Sequence, residues 1–215
     1  MLNNDQYYIV HSDSSNNYPM LSGRMIPKIR YELLDEYRNK DGSSKSINNQ
    51  YRCKLAPEIY EYEINVAEPK PNNPEFVDYH TYDLEQSVST KFVTAFEQTK
   101  FPGIQFLKGT KGNVIDELKL DYYYLHCLQL IACMDKEKSN ADLSSRGRII
   151  SYTKLVLDND VLNKIPLEQR LIFWLREDLM TCVVHQKFVD VYNEADLKGA
   201  RFVPIEQYNV EAAFV

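Results

Sequence analysis

The sequence predicts an α+β fold, with one or more mixed sheets and packed helices. Two observations carry that reading. Short β-prone runs alternate with helical ones along 215 residues, a length suited to one large domain or two small ones. One phrase is also written twice. "KFVTAFEQTKFPGIQFL" (Lys91 to Leu107) and "KFVDVYNEADLKGARFV" (Lys187 to Val203) align without a gap, 96 residues apart. Each copy reads as an amphipathic helix, a glycine and a strand. This suggests two related β-α-β units, around residues 84–107 and 180–203. Two copies make a duplication; a solenoid needs more.

Along the chain, "YYIV" (Tyr7 to Val10) is a short strand candidate, and "HSDSSNNYP" and "NKDGSSKSINNQ" have loop composition. "KIRYELLDEYR" between them suits a short helix. In "EIYEYEINV", Ile59, Tyr60, Tyr62, Ile64 and Val66 stand against Glu61, Glu63 and Asn65, a period-two strand from Tyr60 onward with one charged face. "EPKPNNP" follows; its prolines lack the backbone donor and cannot continue a helix. It marks the expected boundary between an irregular, β-containing part (1–74) and an α+β domain (75–215). Ser89 is placed to cap a helix whose apolar face holds Phe92, Val93 and Phe96, ended by Pro102 and Gly103. "IQFL" reads as strand and "GTKGN" as loop. "VIDELKLDYYYLHCLQLIACMDKEK" holds the longest helix candidate, with Leu125, Leu128 and Ala132 on one stripe. "NADLSSRG" is loop, "RIISYTKLVLD" strand, and "DND" at Asp158 a turn. "PLEQRLIFWLRED" and "LMTCVV" are too short and β-prone for helix.

Within the repeat, Gly103 matches Gly199, Phe92 matches Phe188, Val93 matches Val189 and Phe106 matches Phe202. Phe96 and Tyr192 are a conservative pair. The match extends back to Val88 and Val184, and His185 stands where the first copy has the capping Ser89.

Catalytic and cofactor chemistry has little support. No phosphate-binding glycine motif, nucleophile elbow or zinc-protease motif is present, and seven glycines leave little for a phosphate cradle. Cys53, Cys127, Cys133 and Cys182 form no C-x-x-C pair; the last three lie in apolar runs and read as buried thiols. His126 and Cys127 are sequence neighbours, which a catalytic dyad on a helix cannot be. His80, with Asp78 and Asp83 nearby, suits an acid/base or metal cluster, although a solvated loop histidine is the commoner reading. No metal and no cofactor is expected. The N-terminus lacks a signal-peptide pattern, and the longest apolar stretch is too short to span a bilayer. The chain reads as soluble and cytoplasmic.

The charge distribution says more. The net charge is −6, and residues 61–86 alone carry Glu61, Glu63, Glu68, Glu75, Asp78, Asp83 and Glu85 against Lys70. That balance argues against a general nucleic-acid binder and fits a basic protein partner. Tyr60, Tyr62, Tyr79 and Tyr82 interleave with the acids, and tyrosine is enriched at interface hot spots.

"YYYLHCLQLIACMDKEKS", "RIISYTKLVLDNDVL", "LIFWL" and "VVHQKFVDVYNEADLKGARFVPIE" occur in this order, with "FVDYHTYDLEQSVSTKF" ahead of them. From Asp78 to Glu206 the chain resembles a family of bacterial immunity proteins from polymorphic-toxin and type VI secretion loci. It departs from that family at His185, where a serine is usual. The resemblance implies an α+β protein without enzymatic activity that binds and neutralises a toxin encoded beside it. Such toxins are often nucleases. The expected toxin-binding residues are Glu61, Glu63, Glu75, Asp78, Tyr79, Tyr82, Asp83, Glu85, Asp158 and Asp160, with no nucleic-acid or membrane partner. The alternatives are an enzyme that reverses the toxin's modification and an adaptor for effector loading.

Overall fold

The computed structural model describes residues 7–13, 18–27, 60–67, 74–82, 85–147 and 149–208, with side chains at all of these except 23–27, 60, 61 and 82. The helix expected at 28–38, residues 68–73 of the proline-rich connector, Cys53 and Asp83 lie outside them. The fold is mixed α+β, built on two mixed sheets. A six-stranded sheet contains β2 (Leu21–Pro27), β3 (Tyr60–Val66), β6 (Ile104–Lys111), β7 (Tyr122–Cys127), β5 (Glu85–Ser89) and β4 (Tyr79–Tyr82), in that spatial order. A five-stranded sheet runs β13 (Ala200–Pro204), β1 (Tyr7–Ser12), β12 (Cys182–His185), β11 (Ile172–Leu175) and β8 (Leu130–Ile131). A small hairpin pairs β9 (Asp142–Leu143) with β10 (Ile149–Ser151). The helices are α1 (Thr90–Gln98), α2 (Asn113–Asp116), α3 (Asn159–Leu162) and α4 (Gln186–Glu194).

The repeated phrase is a repeated structure. β5-α1-β6 and β12-α4-β13 are both split units. β5 and β6 flank the antiparallel β7, while β12 and β13 flank the antiparallel β1. A further antiparallel strand lies outside each unit, β4 beside β5 and β11 beside β12. The backbone repeats in detail. Phe101 N–H donates to Phe96 O at 3.0 Å, and Leu197 N–H to Tyr192 O at 3.1 Å. Lys100 (φ 50°) and Asp196 (φ 46°) both turn left-handed after their helices. These residues and the caps at Thr99 and Ala195 end the helices, ahead of Pro102 and Gly103. Phe92 meets Phe106 edge-on at 6.2 Å, and Phe188 meets Phe202 edge-on at 6.1 Å.

Both helices bury the face the sequence predicts: Phe92, Val93 and Phe96 on α1, and Phe188, Val189 and Tyr192 on α4. These residues share one core with Val88 and Val184 beneath them. The five-stranded sheet is buried on both sides. Val10, Ile172, Trp174 and Val184 face the helices, while Ile9, Phe173, Leu175 and Val183 face a second core with Leu155, Leu157 and Leu162. The six-stranded sheet curls until β2 approaches β4 and β5, which makes it nearly a barrel. Its inner face holds Leu21, Tyr62, Ile64, Val66 and Tyr122, with Val114 of α2 packed among them.

Three expectations need correction. The helix expected through "YYYLHCLQLIACM" is strand β7, a loop and strand β8. Tyr122, Tyr124 and His126 face the barrel interior while Leu125 and Cys127 face the helices. Burial on both faces produced an unbroken apolar run without the period of two. "GTKGN" is not all loop, because β6 continues to Lys111. Gly109 allows this, since a Cβ there would stand 2.7 Å from Ile64 Cδ1 and 2.9 Å from Tyr122 O. Among the described residues of "RIISYTKLVLD" only Ile149–Ser151 form a strand, and Leu157 makes an isolated bridge to Met134.

Gly199 leaves no room for a side chain. Its φ is +101°, and a Cβ would stand 2.3 Å from Tyr79 O and 2.4 Å from Val77 Cγ2. Gly147 has φ +72° with nothing within 4 Å. Gly199→Ala should cost about 3 kcal/mol or more, and Gly147→Ala about 1 kcal/mol. Urea unfolding of the two variants checks the difference; equal losses would refute the steric account.

Candidate partner-binding surface

The acidic segment meets the second repeat at Asp78. Its Oδ1 accepts from Ser89 Oγ at 2.6 Å, and its Oδ2 accepts from Lys198 N–H at 3.0 Å. Ser89 caps α1, accepting from Phe92 N–H at 3.2 Å. Tyr79 N–H donates to Lys198 O at 3.0 Å, and Lys91 Nζ donates to Asp196 O at 2.6 Å beyond the end of α4. Asp78 therefore joins the cap of one unit to the turn of the other. Tyr79 lies within the core, 1% exposed and packed on Phe92 at 6.3 Å.

The other expected binding residues are spread over several elements. Glu75 is exposed, and Glu63 and Glu85 are half-buried on β3 and β5. Glu63 accepts from Asn65 Nδ2 at 2.9 Å. The backbones of Glu61 and Tyr82 lie in β3 and β4, but their side chains, like Asp83, are outside the described set. Curling of the sheet brings Glu85 toward Tyr62 of β3, where burial, Tyr124 and Glu85 together hold the Tyr62 phenol well above its ordinary pKa. Asp158 and Asp160 belong elsewhere. Asp158 caps α3, accepting from Asp160 N–H at 2.9 Å and Val161 N–H at 3.2 Å, and its own N–H donates to Cys133 O. What reads as a plain turn in the sequence is thus a helix start, and Asp160 beside it is exposed. Ser87 lies directly across from Tyr124 in the β5–β7 register, a pairing that reading β7 as helix hides.

His80 is no solvated loop residue. It is 2% exposed on β4. Its Nδ1 donates to Pro19 O at 2.7 Å, so Nε2 accepts, taking the Val77 N–H at 3.2 Å; the Tyr122 hydroxyl, 3.3 Å from Nε2, donates to Val77 O. The imidazole fastens the edge strand β4 to the residues ahead of β2, helping to close the barrel. Asp78's carboxylate is engaged with Ser89 and Lys198, so no acid/base pair with His80 forms. Burial lowers the His80 pKa to about 4. His185 keeps the role expected at the start of α4. Its Nδ1 accepts from Lys187 N–H at 3.1 Å, which requires a neutral ring, and burial followed by Arg170 and Lys187 lowers its pKa to about 4. Among the described residues no group of three or more His, Cys, Asp or Glu is arranged to hold a metal, and no helix is long and apolar enough to cross a membrane.

Two predictions follow from these contacts. Both histidines are neutral in the fold, with pKa values below the unfolded value near 6.5. As pH falls from about 6.5 to 4, the unfolded chain takes up protons that the fold refuses, so stability is lost across that window. His80 alone should account for on the order of 3 kcal/mol. His185→Ser should keep the cap and reduce the slope, and an unchanged slope in urea titrations across that range would refute the assignment. Asp78→Ala should destabilise by about 2 kcal/mol through the orphaned Ser89 and Lys198 partners, whereas Glu75→Ala should leave the melting temperature unchanged.

The sequence matches no curated protein. The pattern of the immunity protein family Imm11 matches residues 87–207, which take in both helical units and the strand β7 between them. The chain therefore belongs to the Imm11 immunity protein family, whose members neutralise a cognate toxin and are typically non-enzymatic inhibitors.

Proposed function

We propose that the chain binds a secreted antibacterial toxin one to one in the cytoplasm of the producing cell and blocks it directly. We further propose that the toxin is basic, a nuclease of the kind delivered by type VI or other polymorphic-toxin systems. Family membership carries this reading. The charge supports it: the −6 excess is concentrated in residues 61–86, and a field of one sign steers an oppositely charged partner. Glu63, Glu75 and Glu85 remain at least partly in solvent, and the backbones of Glu61 and Tyr82 lie in β3 and β4; Asp83 adds to the charge of the same segment of sequence. Asp78 and Tyr79 act in this reading as supports behind the surface, and Asp158 and Asp160 as a separate, outlying patch. We assign partner specificity to residues 1–74 and the family fold to 75–215, although β1 and β3 of the first part are built into the two sheets.

The test is a titration. The toxin domain encoded beside this chain is co-expressed with it, purified, and its activity measured as the chain is added back. Full inhibition at one equivalent in a stable complex is expected, and Glu75→Lys with Glu85→Lys should slow association markedly at low salt. Protection at a small fraction of an equivalent would instead indicate an enzyme that reverses the toxin's modification. A complex that retains full toxin activity would indicate an adaptor.

A further inference from the structure

The barrel interior changes character along its length. Near α2 it is lined by Leu21, Ile64, Val66 and Val114. Farther along, polar groups replace them. Tyr62 and Tyr124 stack face to face, with centroids 4.6 Å apart and planes at 14°. Ser87 stands across from Tyr124, and Glu85, two residues earlier on β5, faces the same way. His126 follows Tyr124 on that face at 5.7 Å.

Two of these groups lack what buried polar atoms require. Tyr62 is 3% exposed and Ser87 0%, yet neither the Tyr62 hydroxyl nor the Ser87 Oγ has a hydrogen-bond partner. Nearly all buried polar atoms in folded proteins are bonded, and an unbonded one costs free energy. Both orphans lie beside the same tyrosine ring. Tyr124 and Glu85 keep part of their surface in solvent, so the cluster borders solvent although the two hydroxyls themselves are covered.

We propose that this end of the barrel is a socket for a guanidinium group, an arginine side chain presented by the bound toxin, held by the Tyr62 hydroxyl, Ser87 Oγ and the Tyr62–Tyr124 pair. A guanidinium donates up to five hydrogen bonds and accepts none, which suits hydroxyl oxygens without donors. Its flat cation also stacks on aromatic rings. The Glu85 charge adds attraction at the same place. This rests on the proposed binding function and names the chemistry of one contact within it.

The socket is testable without the toxin. N-acetyl-arginine amide and its neutral counterpart N-acetyl-citrulline amide are titrated into the isotope-labelled full chain and followed by NMR. The arginine probe should shift resonances of β3, β5 and β7 saturably, and the citrulline probe should not. Tyr62→Phe and Ser87→Ala each remove an unbonded hydroxyl. Each should therefore keep or raise the melting temperature while weakening the arginine probe about tenfold. Equal responses to both probes, shifts scattered over the whole acidic surface, or a lowered melting temperature in Tyr62→Phe would overturn the socket. If the socket fails while one-to-one toxin inhibition persists, the proposed function stands and only this contact is refuted.

Discussion

The fold depends on the contact between two equivalent helices. Phe92 stacks on Phe96 at 4.4 Å, Phe96 meets Phe188 at 4.6 Å, and Phe101 meets Phe188 edge-on at 5.6 Å. Each helix covers its own split β-α-β unit, and the two apolar faces also meet each other. One core therefore serves both sheets. Fully buried side chains of this kind contribute about 1.5–3 kcal/mol each by area, with a further increment from favourable ring geometry. The polar seam works because this contact fixes the distance between units. Asp78 can reach both Ser89 and the Lys198 N–H, and Gly199 can lie under Tyr79 O, only if α1 and α4 hold their relative places.

The two units are completed differently. In the first, the middle strand β7 follows β6 after a short connection. In the second, the middle strand is β1, at the other end of the chain. Bringing β1 between β12 and β13 closes a very long loop, but the entropic cost of closure grows only logarithmically with length. Pairing on both sides and burial of Tyr7 and Ile9 offset it. The family match begins at residue 87 and so includes the second unit's flanking strands but not the strand between them. The N-terminal part is therefore structurally tied to the domain it precedes. A sequence boundary at the proline-rich connector describes composition, not independence of packing.

This difference bears on what was legible in the sequence. The two repeated helices, their buried faces, the Ser89 and His185 caps and the strand at Tyr60 to Val66 were readable because each is local. Apolar spacing and capping chemistry act within a few residues. β7 was not readable, because a central strand buried on both faces carries no alternation, and its tyrosines and leucines satisfy a helical stripe equally well. The burial of Tyr79 and His80 was hidden for another reason. Their neighbours in sequence are acidic, and only tertiary contacts enclose them: Phe92 and Gly199 at Tyr79, Pro19 and Tyr122 at His80. Ser87 and Tyr124 are brought together only by the β5–β7 register, which no local pattern encodes.

The acidic segment shows why net charge and binding residues are separate questions. Asp78 is occupied by the seam and Glu63 accepts from Asn65, so neither is idle. The long-range field is instead a sum over all the charges of the segment. Steering needs only that sum and falls off with salt over about 8 Å at physiological ionic strength. Selecting one partner among several basic ones needs short-range geometry instead, since a mismatched contact there leaves desolvated groups unpaired. In this fold the short-range candidates are buried groups with unused bonding capacity, not the carboxylates that first attract attention in the sequence. Tyr62 and Ser87 have that property, and they lie on strands β3 and β5, which bound the acidic segment in sequence and are drawn together by the curl of the six-stranded sheet.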